Sequence, residues 1–557
     1  MRFGLFYEHQ LPRPWDPDAE ERTMQDALDQ IELADRLGFD YVWEVEHHFL
    51  EEYSHSSAPE VFLAAASQRT KRIRLGHGIV QLPIGFNHPA RVAERIATLD
   101  LVSGGRVEFG SGEASSQVEL GGFQIDRDSK RAQWEEALDA ITRMFVEQPF
   151  AGYDGTHFKM PQRNVVPKPK QKPHPPLWVA CSRRETILLA AQRGIGALSF
   201  SFVEPEAAKE WVDQYYAIIS SEECVPIGFA VNPNFAVVLP MMCHEDEQTA
   251  IERGIDGGHF FGYSLAHYYV FGEHQPARTN LWEEFQAHRS EQGFARDIIA
   301  AEGEPLGVKL FEQGLGSLRG AIGTPDQITE LVERYEQAGV DQVIFVLQAG
   351  RNKHEHVCES IELFASKVMP KFAAQADARD AAKRERLAEV CEQALERRPP
   401  ARAAQPDYVV TVRDEGPRGR SSGPESPLAP FIRGKSDEEL LATFGSDDAV
   451  QMIFSGMQAA FVPARAEGFN GAIQYELEVN GSVQTWAMTI ADGTAQATRG
   501  AAHAPKLTVR STLPVFLRVA AGEMNGGLAL MEGKIALKGD LGVAARLGEM
   551  FGDVPRY

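Results

Sequence analysis

No apolar run in this chain of 557 residues reaches the roughly 18 residues that a membrane-crossing helix needs, so insertion into a membrane is not expected. Cysteine is scarce. The five present, Cys181, Cys224, Cys243, Cys358 and Cys391, are scattered, odd in number and free of CxxC spacing. That pattern argues against a disulfide framework and fits reduced thiols in a cytoplasmic protein. Basic charge is in deficit: 79 acidic residues against 56 basic ones give a formal charge of −23. Without a basic face carrying aromatic platforms, nucleic acid is not an expected partner, and an acidic surface chiefly favours solubility. There is no HExxH or CxxC to build a zinc site, and no internal repeat. No GxGxxG follows a strand to hold a nicotinamide dinucleotide. The chain starts directly on strand-like Arg2-Phe3-Gly4-Leu5-Phe6-Tyr7, so no signal peptide is expected.

What is present is alternation. From Met1 to about Ala374, candidate strands fall at Arg2–Tyr7, Tyr41–Val45, Arg74–Ile79, Val107–Gly110, Leu177–Ala180, Ala197–Phe200, Phe235–Leu239 and Gln342–Leu347. Helical patterns lie between them at Asp26–Leu37, Pro59–Gln68, Pro89–Val102, Arg131–Phe145, Glu185–Arg193, Glu206–Ile219 and Pro325–Ala338. Thr324-Pro325 is a helix start, a capping hydroxyl followed by a proline suited to the first turn. Eight strands with intervening helices point to a β/α barrel with insertions rather than an open doubly wound sheet. The seventh connection, about Glu245 to Gly323, is long and aromatic (Phe260, Phe261, Tyr263, Tyr268, Tyr269, Phe271, Trp282). It reads equally as a lid over an apolar substrate or as an accessory helical pair. Residues 375–435 read as an exposed Ala/Glu/Arg-rich helix and then a Pro/Gly/Arg-rich linker. A small α+β domain follows over 436–557.

The densest chemistry stands where the second strand ends, at Glu46-His47-His48-Phe49. In a parallel barrel that position is the catalytic rim, and an imidazole there titrates close to neutral pH. Neighbouring residues on an extended segment point to opposite sides, so His47 and His48 are not expected to share a metal. The third strand runs into Gly76-His77-Gly78-Ile79 and the fourth into Gly110-Ser111-Gly112-Glu113, glycines that let a flat ring approach the backbone. Cys181-Ser182-Arg183-Arg184-Glu185-Thr186 ends the fifth strand and opens a helix. Its hydroxyls and free amides form a candidate anion site, with Arg131 as the matching charge. Taken singly, Ser182 is as readily a helix cap and Arg131 a solvated surface residue.

In this order the pieces resemble the bacterial luciferase-like flavin monooxygenase family over Met1 to Ala374. The matching parts are Arg2-Phe3-Gly4-Leu5-Phe6; Gly38-Phe39-Asp40-Tyr41-Val42-Trp43 with Glu46-His47-His48-Phe49; Leu82-Pro83 with His88-Pro89-Ala90-Arg91; Gly105-Arg106 through Gly110; Val166-Pro167-Lys168-Pro169 with His174-Pro175-Pro176; and Gly323-Thr324-Pro325. The resemblance implies a TIM-type (β/α)8 barrel binding reduced FMN at its C-terminal rim, with a non-proline cis peptide at Gly78-Ile79. It implies that Arg131, Ser182 and Thr186 hold the FMN phosphate, that Gly78, Ile79 and Gly112 lie against the cofactor, and that His47 is catalytic, oriented by Glu46 and His48. Where luciferase proper has a reactive cysteine followed by arginine, this chain has Gly112-Glu113, which speaks against light emission. Cys181 replaces an acidic residue of luciferase.

Leu530-Met531-Glu532-Gly533-Lys534-Ile535-Ala536-Leu537-Lys538-Gly539-Asp540-Leu541 with Ala544-Ala545-Arg546-Leu547, Leu507-Thr508-Val509 and Phe516-Leu517 resembles the sterol carrier protein type-2 fold, about 436–551. That resemblance implies a lipid-binding tunnel, or a domain that has lost it and serves assembly. Together the two imply a two-component monooxygenase. It would take reduced FMN from a separate flavin reductase and dioxygen as co-substrate, and oxidise a hydrophobic, lipid-like substrate through a flavin peroxide. The alternatives are a deazaflavin-dependent oxidoreductase and a non-catalytic lipid-binding or scaffold protein. A homo-oligomer, a dimer or larger, is also implied, with Pro59–Gln68 as a candidate surface.

Overall fold

Eight short parallel strands, each followed by a crossover, close on themselves in the computed structural model of the chain. It describes residues 1–200, 204–291, 294, 309–311, 314–317, 319–410, 429–466, 468–524 and 526–551, with backbone alone at 309–311 and 314–317. The strands are β1 (Arg2–Tyr7), β2 (Tyr41–Glu44), β3 (Arg74–His77), β4 (Val107–Gly112), β5 (Leu177–Cys181), β6 (Gly196–Ser199), β7 (Phe235–Cys243) and β8 (Gln342–Val346). They pair in sequence order. β8 returns to β1 with Gln342 opposite Arg2, which closes the barrel. Every expected strand is present within a few residues of its expected ends.

The outer helices include α1 (Ala19–Leu37), α2 (Pro59–Arg69), α3 (Pro89–Val102), α4 (Gln117–Gly122), α5 (Lys130–Val146), α6 (Arg184–Gln192), α7 (Pro205–Ile219), α8 (Glu247–Ala266), α9 (Leu281–His288), α10 (Pro325–Gln337), α11 (His354–Lys367) and α12 (Met369–Glu396). Their ends follow local chemistry. α1 stops at Gly38, whose φ of 96° and bonds back to Ala34 and Asp35 make a left-handed cap. α10 starts with a capping box between Thr324 and Gln327. Inside the barrel the indoles of Trp43 and Trp178 cross edge to face at 5.2 Å. Glycine makes room for them: a Cβ at Gly76 would lie 2.2 Å from Trp43, and one at Gly196 2.4 Å from Trp178. Alternate residues face outward. Phe3, for example, meets Phe364 of α11 and Phe372 of α12.

The expected boundary at Ala374 falls inside α12. This 28-residue helix belongs to the barrel unit, which runs to Tyr408. Most of its residues are exposed, and it is tied to the barrel where Arg2 pairs with Asp377 and Asp380 and Lys383 binds Asn234 and Asp341. Most of the expected linker, 411–428, lies outside the described residues.

The second unit has its own apolar core. Strands β9 (Gly471–Val479), β10 (Ser482–Ala491), β11 (Thr494–Arg499), β12 (Leu507–Thr512) and β13 (Ile535–Gly539) form a sheet in the order β11-β10-β9-β12-β13. All pairs are antiparallel except β9 with β12. Helices α13 (Asp437–Phe444), α14 (Asp447–Ala459), α15 (Leu513–Ala520), α16 (Gly526–Met531) and α17 (Leu541–Met550) accompany it. Phe454 of α14 stacks on Trp486 of β10 at 4.8 Å and 9°. Of the motif Ala544-Ala545-Arg546-Leu547, the side chains at 545 and 546 lie outside the described residues.

Candidate active site

The C-terminal ends of β1, β2 and β4 carry the polar residues of the barrel mouth. β1 runs out into Glu8-His9-Gln10, and the chain after β2 into Glu46-His47-His48. Glu119 arrives from the first turn of α4, capped by Ser116. The three segments converge on His47. Its Nδ1 lies 3.1 Å from Glu119 Oε1, its Nε2 3.8 Å from Glu8 Oε2, and its side chain is 17% exposed.

The proton on this ring is placed by what else reaches Glu119. The His48 N–H donates to Glu119 Oε1 at 3.0 Å and Gln81 Nε2 at 2.6 Å. Gln81 Nε2 also donates to the Glu46 carbonyl, which fixes which way the amide points. Glu119 Oε1 is therefore an acceptor, and Nδ1 of His47 donates to it. Nε2 is left on the side of Glu8, 3.8 Å from its Oε2. Burial pulls the His47 pKa down, but the Glu119 and Glu8 carboxylates outweigh it and raise it to about 9. Burial pushes Glu8 up to about 7, against the pull of His47 and the Tyr53 hydroxyl.

Glu46 and His48 do not grip the His47 ring, contrary to expectation. They hold each other, with His48 Nε2 at 3.2 Å from Glu46 Oε1. Glu46 also accepts from the Gln81 N–H at 2.7 Å and from Asn87 Nδ2 at 2.9 Å. The cause is the alternation of an extended segment: His47 turns toward Glu119, and its neighbours turn toward the loop after β3. On that side His48, Phe49, Phe86 and Phe123 form an aromatic rim.

The expected cis peptide at Gly78-Ile79 is absent; the cis bonds among the described residues all precede proline. A bulge takes its place. Gly76 pairs with Glu108 but Val80 pairs with Ser111, so the β3 side carries one extra residue over that interval. The bulge presses the His77 carbonyl to where a Cβ at Gly110 would stand 1.9 Å away. It also lays Ile79 against Gly112, where a Cβ would lie 2.3 Å from Ile79 Cδ1. Gly78 donates its N–H to the Glu44 carbonyl at 2.7 Å.

At the end of β5, Ser182 is exposed and Thr186 half-buried, on either side of the start of α6. The first-turn amides of Arg184 and Glu185 have no helical carbonyl to reach. Arg131, on α5, lies close enough to this corner to feel the Glu185 charge. It is already paired: Glu113 Oε1 lies 3.0 Å from Arg131 and 3.3 Å from Lys130.

The described part of the long insertion up to residue 291 packs as a helical pair against the site. After α8 a single π turn, His267–Phe271, places Tyr269 6.5 Å from the His47 ring and Tyr268 6.2 Å from Tyr53; π turns are frequent at functional sites. Glu52 accepts the Leu281 N–H at 2.5 Å and the Trp282 N–H at 3.2 Å, so a residue of the β2–α2 connection caps α9. Of Phe271 only the backbone is described. Among the described residues no group of three or more His, Cys, Asp or Glu is placed to hold a metal ion, and no helix is long and apolar enough to cross a membrane.

Residues 1–342 match the family of luciferase-like monooxygenases. The chain belongs to that family. In this luciferase-like monooxygenase, residues 457–552 match a second family, SCP-2 sterol transfer. The chain is 37% identical over 194 residues to the uncharacterised protein y4wF of Sinorhizobium fredii, covering 35% of this chain and 54% of that protein, about half its length. It is 24% identical over 380 residues to the oxygenase component of a flavin-dependent trigonelline monooxygenase of Acinetobacter baylyi, covering 67% of this chain and 96% of that one. Among solved structures it resembles monooxygenase RslO1 from Streptomyces bottropensis, with 25% identity and a TM-score of 0.52, over 67% of this chain and 100% of that one.

Sequence reading alone missed Glu8, Tyr53, Gln81, Asn87 and Glu119, whereas Tyr269 was among the aromatics of the expected lid. Two had a signal. Glu8-His9-Gln10 is a polar trio directly after a barrel strand, and Gln81 interrupts the apolar run Ile79-Val80-Gln81-Leu82. Glu119 had none, because 72 residues separate it from His47.

Proposed function

We propose that this luciferase-like monooxygenase is the oxygenase component of a two-component system, using reduced FMN from a separate reductase and dioxygen to oxidise a hydrophobic, lipid-like substrate. The observation that carries this reading is an imidazole, His47, set between two buried carboxyls at a barrel mouth, with an anion corner on the same rim. The donors at that corner fit a phosphate ester: two free amides and two hydroxyls at a helix start, with a guanidinium beside them. On this reading Ser182, Thr186 and Arg131 bind the phosphate, while Gly78, Ile79 and Gly112 give the flat ring its backbone contact. Reduced flavin, when bound, supplies the activation of dioxygen.

The chain's own residues do the rest. His47 keeps a proton at Nδ1 through Glu119 and presents Nε2 as donor to whatever lies across the mouth. The α8–α9 insertion, lined by Phe261, Tyr268 and Tyr269, excludes water and suits an apolar substrate. The SCP-2 segment would raise the local concentration of a poorly soluble substrate through the linker. We take the working assembly to be a cytoplasmic homo-oligomer.

The test mixes reduced FMN, oxygen and lipid aldehydes or ketones with wild type and with His47→Ala. Product formation is expected to fall about 10²–10⁴-fold in the variant; equal yields would remove His47 from the mechanism. Fluorescence titration with FMN and with a deazaflavin checks the cofactor. Binding of the deazaflavin alone would overturn the FMN assignment in favour of hydride transfer without oxygen.

A further inference from the structure

The His47 ring has a partner on each nitrogen, and only the Glu119 side is hydrogen-bonded. On the other side Glu8 is 2% exposed. Its Oε1 accepts from the Tyr53 hydroxyl at 2.9 Å, while its Oε2 is buried without a hydrogen-bond partner and lies 3.8 Å from His47 Nε2. A buried carboxylate oxygen left unpaired is costly, so the arrangement persists only where something answers it. Facing it is the His47 imidazole.

We propose that Glu8 is a positioning residue for His47, a second carboxyl that shares a proton with Nε2 and so decides whether the ring offers a donor or a lone pair to the barrel mouth. This rests on the reading of His47 as the group that works at the mouth. Glu8 lies within one residue of the end of β1, so its carboxyl is fixed by the barrel frame rather than by a loop. The groups facing the pair come from every adjoining element: Glu44 at the end of β2, Glu46 after it, Tyr53 from the β2–α2 connection, Glu119 from α4 and Tyr269 from the insertion. Glu44 and Glu119 add negative charge and favour a proton staying on the pair. Tyr53 donates to Glu8 and favours its ionised form. Burial lifts Glu8 while its carboxylate helps hold the His47 proton, so the two groups titrate as a coupled set.

The experiment follows the ring directly. Full-length protein carrying ¹³C,¹⁵N-histidine is titrated by NMR from pH 5 to 10 without cofactor, with His47→Asn used to assign the His47 signals. In wild type the expected curve keeps His47 protonated past pH 8 and shows a smaller inflection near 7 as Glu8 ionises. In Glu8→Gln that inflection disappears and the His47 midpoint falls by about 1 unit or more, the effect of removing an opposite charge within about 4–6 Å. Glu8→Asp restores the inflection. Tyr53→Phe moves it upward and guards against a Gln variant that does not fold, which unshifted signals from the remaining histidines would exclude. A wild-type curve retained in Glu8→Gln, or an inflection unmoved in Tyr53→Phe, would overturn the proposal. If wild type makes no product yet the ring titrates as described, the oxygenase reading fails and the Glu8 pairing stands. If His47→Ala abolishes product and Glu8→Gln leaves the ring unchanged, Glu8 alone is wrong.

Discussion

On the proposed reading, Glu113 stands beside the corner where a bound phosphate would need positive charge. It holds both Lys130 and Arg131, and the Arg131 side chain is 48% exposed, so the pair is solvent-screened and weak. An incoming phosphate would compete with Glu113 for the same guanidinium. Glu113→Gln is therefore expected to tighten FMN binding by about 2- to 5-fold, the worth of a fraction of a kcal/mol to 1 kcal/mol, measured by quenching of flavin fluorescence. Unchanged or weaker binding would remove Arg131 from the phosphate site. The corner itself was legible in sequence, since Ser182 and Thr186 flank a helix start that follows a strand. The quarrel between Glu113 and Arg131 was not, because pairing across 18 residues depends on where α5 packs.

Two elements shape the mouth, the β3 bulge and the docked insertion. The bulge tolerates no side chain at Gly110, where a Cβ would meet the backbone carbonyl of His77 at 1.9 Å. Backbone cannot swing away as a flexible side chain can. Gly110→Ala is expected to cost about 1–3 kcal/mol or more, read as a lower midpoint for unfolding of the barrel. The insertion depends on Glu52, which caps α9 from another connection and pairs with the Arg13 N–H at 2.8 Å. Glu52→Ala is expected to lose about 1–2 kcal/mol of that anchorage and to make the α9 region cut faster in limited proteolysis, with the barrel's unfolding midpoint moved much less. Equal cleavage rates would show that the aromatic contacts alone hold the insertion. The aromatic composition of this segment announced a role at an apolar surface. Its docking rests on Glu51 and Glu52, two exposed-looking acids in the sequence.

At the scale of the whole molecule, buried imidazoles set the pH response. Burial lowers His77, His174 and His267 to about 4 each. The unfolded chain takes up those protons near 6.5 and the folded one only near 4. Their contribution to stability is therefore complete above pH 6.5 and lost as pH falls toward 4. His47 runs the other way: raised to about 9, its contribution is complete below 6.5 and lost as pH rises through 9. Thermal unfolding of the barrel should therefore peak at about pH 7, with His77→Asn softening the acid limb and His47→Asn the alkaline one; a monotonic profile would contradict both assignments. The sequence by itself determined the barrel, the second α+β unit and the location of His47, because hydrophobic period, strand length and turn chemistry are local. Only the tertiary structure decided that α12 belongs to the barrel, that a bulge stands where a cis bond was expected, and that Glu119, rather than Glu46 or His48, hydrogen-bonds the imidazole, with Glu8 set on its other side. Those outcomes depend on which distant segments meet when the sheet closes, and no short window of residues carries that information.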